Sequence, residues 1–148
     1  MRARRHFASR LLFVAAVLTL GIAGVASASL KSGTYTGNLT GRNSRIALTF
    51  RYAHAKVTAL SIDGLPFYCE GGSAPETIKF SSAKVSKTGT FSSTATARYA
   101  TGPDQGQVNQ RFSIKGRIKS GGRASGTIKT TFVFNAPCSG SESWTANS

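Results

Sequence analysis

Beyond residue 28 the chain alternates apolar and polar positions with a period of two, and the 3.6-residue period of an amphipathic helix is hard to find. Residues 45–52 are the plainest case. Ile46, Leu48, Phe50 and Tyr52 fall on one face, and Arg45, Ala47, Thr49 and Arg51 fall on the other. Successive side chains of a strand point to opposite sides, so this alternation predicts a half-buried strand. Residues 108–119 repeat it, with Phe112, Ile114, Gly116 and Ile118 opposed to Arg111, Ser113, Lys115, Arg117 and Lys119. Further strands are predicted over 34–39, 56–63 (Thr58, Leu60 and Ile62 in phase), 76–85, 90–99 and 124–134, with a short last one in 138–144. Residues 64–75 hold two prolines and three glycines and read as a long loop.

The expected fold is therefore all-β, an antiparallel up-and-down barrel or sandwich of about seven or eight short strands. The barrel is favoured because nearly every connection reads as a local hairpin. Ahead of this domain, Arg2, Arg4, Arg5 and Arg10 precede an apolar run over 11–25, and Ala26-Ser27-Ala28 supplies a small-x-small pattern. That order predicts a signal peptide over 1–28, cleaved after Ala28, and a secreted β domain over 29–148. The apolar run is 15 residues long, short of the roughly 20 a spanning helix needs. No transmembrane segment is expected in the mature chain.

Residues 29–148 contain fifteen Lys and Arg against five Asp and Glu, a net charge of +10. They also contain both cysteines, Cys69 and Cys138. An even count in an oxidising compartment predicts a disulfide between them. Closing a loop of about 70 residues is worth around 4 kcal/mol on the chain-entropy account.

Catalytic chemistry is hard to assemble from what remains. His54 is the one histidine after residue 28, and it sits in a turn-like Tyr-Ala-His-Ala-Lys with no partner at ligand spacing. The acids Asp63, Glu70, Glu76, Asp104 and Glu142 all fall in or beside predicted loops. Only Glu70 and Glu142, each near a cysteine, are placed to share a rim as a carboxylate pair would. There is no nucleophile elbow and no phosphate-cradling glycine loop. We expect no enzyme, no metal and no cofactor.

The basic face is the strongest functional signal. Arg111, Lys115, Arg117 and Lys119 share one side of one strand at about 6.6–7 Å per alternate residue, and Arg123 and Lys129 on the next strand widen the stripe. Arg42, Arg45 and Arg51 form a second cluster. Such a face matches the charges of an anionic cell-wall polymer such as a teichoic acid, an acidic polysaccharide, lipid headgroups or extracellular DNA. Aromatic residues interleaved for base stacking are missing, since Phe112 takes the opposite face. Two alternatives stand beside this non-enzymatic binding role. One is a small-molecule barrel whose pocket uses Phe67, Tyr68 and Trp144. The other is an envelope protein with no specific ligand, its charge serving only solubility.

Several short motifs occur in a familiar order: Gly33-x-Tyr-x-Gly37, Ile46-x-Leu-x-Phe50, a mid-domain Cys69 and Gly89-Thr-Phe91, then Ala124-Ser-Gly-Thr-Ile128, Cys138 and Trp144-Thr-Ala146. In this the chain resembles small secreted all-β proteins of high-GC Gram-positive bacteria that have no established activity. The resemblance implies the fold and the compartment, and brings no catalytic residues.

Overall fold

A computed structural model describes residues 29–41, 44–64, 77–98, 102–133 and 139–148. Nine strands follow in order: β1 (Gly33–Leu39), β2 (Ala47–Ala53), β3 (Lys56–Asp63), β4 (Thr77–Lys79), β5 (Ala83–Lys84), β6 (Thr90–Arg98), β7 (Val108–Lys119), β8 (Arg123–Phe132) and β9 (Gly140–Asn147). All pairings are antiparallel, in the order β4-β3-β2-β1-β9-β8-β7-β6, with β5 continuing the line of β4 beside β3. Counting β4 and β5 as one interrupted stave gives eight. The sheet curls into a nearly closed up-and-down barrel, and the sandwich alternative falls away. The seam is bridged where Ser81 N–H donates to the Thr94 carbonyl (3.2 Å) and Ser86 N–H to the Thr90 carbonyl (2.9 Å).

Most of the alternation read from the sequence becomes inside and outside. Leu48, Phe50, Tyr52, Phe112, Ile114 and Ile118 are buried, and their odd-phase neighbours face solvent. Three elements differ from expectation. In β3 the register shifts between Thr49 and Arg51, so that Ala59 and Leu60 together face Phe50. Ala59 takes a left-handed φ of 50°. This bulge lets Val57, not Thr58, join Leu60 and Ile62 inside. The expected strand over 76–85 breaks at 80–82, and the expected last strand is longer, reaching Asn147.

The core is aromatic at its waist. Tyr35 and Phe50 stack at 4.8 Å, and Phe50 meets Trp144 edge-on at 6.1 Å and Phe91 at 5.7 Å. Two glycines make room for these rings. Phe91, Gly116, Gly126 and Trp144 are successive partners across β6–β9. A Cβ on Gly116 would lie 2.7 Å from the Phe91 ring and closer still to the Trp144 ring. The rings thus lie over the bare backbone between them.

The two ends of the barrel are unlike. At one end, His54-Ala55, residues 85–89 and residues 120–122 make tight turns. Both His54 (φ 49°) and Ala55 (φ 55°) are left-handed there, the geometry of a two-residue I′ hairpin. At the other end the connections 40–46, 64–76, 99–107 and 133–139 are all longer. Loop-bearing ends of this kind are where barrels place binding groups.

Candidate anion-binding face

The sequence-predicted cations sit where period two puts them. Arg111, Lys115, Arg117 and Lys119 on β7 and Arg123 and Lys129 on β8 are all exposed on the outer wall. Register fixes their neighbours. Arg111 lies between Thr96 and Thr131, Lys115 between Ser92 and Thr127, and Arg117 between Thr90 and Ser125; Lys129 faces Ser113. Cations thus run down the middle strand between two rows of hydroxyls. Arg98, which sequence reasoning passed over, adds a seventh cation at the end of β6. The signal for it was present, since Arg98 is in phase with Thr94 and Thr96.

The outer wall of β6, β7 and β8 carries these seven cations and no carboxylate. Acids among the described residues lie elsewhere: Asp63 at the end of β3, where Thr77 Oγ1 donates to it (3.1 Å), and Asp104 in the 102–107 turn, where Gln107 Nε2 donates to it (3.2 Å). Glu142 lies on β9 opposite Ile128 and faces inward, half-buried, so it is a strand residue and not part of an exposed loop rim. Glu70 and Glu76 lie outside the described residues.

Two details show how the face is held. Arg117 Nε donates to the Thr88 carbonyl (3.1 Å), which anchors the guanidinium through one of its five N–H donors. Lys119 and Arg123 are direct cross-strand partners. Like charges placed opposite each other destabilise a sheet, and a bound anion relieves that repulsion.

The face is also shaped. Three shallow depressions follow one another along β7. One of about 450 Å³ lies at Arg117 and Lys119, beside Lys87 and Leu30. The next, about 820 Å³, is lined by Lys84, Lys115, Arg117 and flanking hydroxyls, with the side-chain-free backbone of Gly116 and Gly126. The third, about 490 Å³, lies between Arg111 and Lys129. Every one holds at least two cations.

The other candidates fare differently. Arg45 and Arg51 are exposed on and beside β2, across the barrel from β7, and Arg42 lies outside the described residues. His54 is an exposed turn residue. Trp144 is wholly buried in the aromatic waist. Phe67, Tyr68, Cys69 and Cys138 lie outside the described residues. No helix among the described residues is long and apolar enough to cross a membrane. No family of known proteins, no curated protein and no solved structure matches the chain.

Proposed function

We propose that the protein is exported with removal of residues 1–28 and, without catalysing a reaction, binds an extracellular polyanion lengthwise along β7. One observation carries this reading: three adjoining strands present seven cations and no carboxylate on one wall. A wall evolved only for solubility intersperses both signs. The hydroxyl rows of Thr90, Ser92, Ser125 and Thr127 beside the cations favour a polymer that itself bears hydroxyls. No aromatic side chain faces outward there to stack on bases. A teichoic acid or an acidic polysaccharide fits this surface better than DNA or a lipid headgroup layer. Export is supported by the first residues past Ala28. Leu30 packs on the core, and Lys31 Nζ donates to the Ser148 carbonyl (2.9 Å), so cleavage there leaves the barrel whole.

The test compares two double reversals with the same change of net charge. Arg117→Glu with Lys119→Glu should weaken binding to teichoic acid at least about ten-fold, a loss of ~1.4 kcal/mol. Arg45→Glu with Arg51→Glu, on the opposite wall, should change it by less than about two-fold. Equal losses from both pairs would refute the face and leave only diffuse attraction.

A further inference from the structure

The inner wall is apolar at the waist but not at the loop-bearing end. There Gln110 and Thr130 face inward at 2% and 1% exposure, in phase with the buried Phe112 and Ile128. Among the described residues, Gln110 Nε2 and Thr130 Oγ1 have no hydrogen-bond partner, and neither does Oδ1 of the 4%-exposed Asn109. Asn109 is the extra residue of a bulge, since Ala97 pairs with Gln110 while Arg98 pairs with Val108. Bulges re-aim side chains at barrel rims, and this one buries two successive polar residues where a regular strand would bury one. Gln110 is opposite Phe132 and Thr130 opposite Phe112, so the two polar groups are diagonal neighbours on β7 and β8. Glu142 stands in the same diagonal relation to Thr130 on β9.

Leaving such groups unpaired is costly, whereas Val at 130 or Leu at 110 would fill similar space at no polar cost. We infer that this polar set binds a small, neutral, polyhydroxylated molecule, a monosaccharide or polyol. The donor and acceptor types select that class. Asn109 Oδ1 accepts, Gln110 Nε2 donates and Thr130 does either. A hydroxyl group both donates and accepts, so one ligand can satisfy all three. An amine only donates and would leave Gln110 unpaired. A carboxylate only accepts and would meet the carboxylate of Glu142. The site is inside the barrel wall and independent of the outer cations.

Trp144 reports on the site. It is the one tryptophan of the chain, lies two residues along β9 from Glu142 on the same inward face, and its Nε1 also lacks a partner among the described residues. With so little side chain exposed, entry requires local opening, so the titrations are followed to equilibrium. The purified protein is titrated with glucose, N-acetylglucosamine and glycerol while Trp144 emission and the side-chain amide signals of Gln110 are recorded. A saturable change in both is expected for at least one sugar. Thr130→Val and Gln110→Leu should each weaken that binding about ten-fold, the loss of one hydrogen bond, while keeping or raising the melting temperature. Absence of any saturable change through the millimolar range overturns the inference. So does a fall in melting temperature in both variants, which would mean that ordered water satisfies these groups as part of the structure.

Discussion

Replacing Gly116 by alanine should unsettle the aromatic waist. The added Cβ would meet Cε1 and Cζ of Phe91 at 2.7 Å and Cζ2 of Trp144 closer still. Carbon pairs rest at about 3.5–4.0 Å, so both rings must retreat by about 1 Å. Neither has room: Trp144 is 0% and Phe91 6% exposed, and both also touch Phe50. Overpacking of this kind costs up to about 3 kcal/mol. Removing a strand glycine returns about 0.5–1 kcal/mol of backbone entropy. The net loss is then about 2 kcal/mol, or some 6–8 °C in melting temperature for a domain of this size. Urea unfolding followed by Trp144 emission measures it. Gly121 supplies the comparison, because its φ of +82° is strained for alanine but no atom of the described residues lies within 4 Å of the added Cβ. Gly121→Ala should cost about 1 kcal/mol and leave the Trp144 spectrum unmoved. Combining Gly116→Ala with Phe91→Leu should cost less than the two singly, because both act on one contact. A Gly116→Ala protein as stable as the parent, with an unaltered Trp144 spectrum, would refute this packing argument.

Two further outcomes follow from the backbone and the cysteines. Ala59 holds a left-handed φ of 50° in the β3 bulge, so Ala59→Gly should raise stability by about 1 kcal/mol in the same urea assay. Cys69 and Cys138 belong to connections that leave the barrel at the same end. Peptide mapping without reductant should recover them as a linked pair, and reduction should cost about 4 kcal/mol.

What could be read from the sequence was whatever obeys period two without interruption. Residues 110–119 keep Phe112, Ile114 and Ile118 in strict phase, and β7 alternates as expected from Gln110 onward, the bulge at Asn109 being the one break. The cations fell on the outer wall for the same reason. The phase of β3 was missed because an alanine in the left-handed region carries no sequence mark, whereas a glycine at 59 would have suggested a bulge. The last strand was expected to stop at Trp144 because beyond it only Ala146, a small residue, marks the buried face. The depressions along β7 needed register, since which hydroxyls flank Lys115 depends on the pairing of β6, β7 and β8 residue by residue, and alternation alone does not fix that. The inward polar set did leave a trace. Gln110 is in phase with Phe112, and Thr130 with Ile128, so each is a polar residue written into an apolar face.

The salt dependence of teichoic-acid binding tests the central claim most directly. If the polymer lies along β7 and displaces counterions at the six cations of β7 and β8, log affinity should fall linearly with log salt at a slope of about −4, taking ~0.7 per contact. The Arg117→Glu, Lys119→Glu protein should show a visibly shallower slope. Binding that is absent at low salt, or that ignores salt, would contradict the account and mean that the cations only keep the barrel in solution.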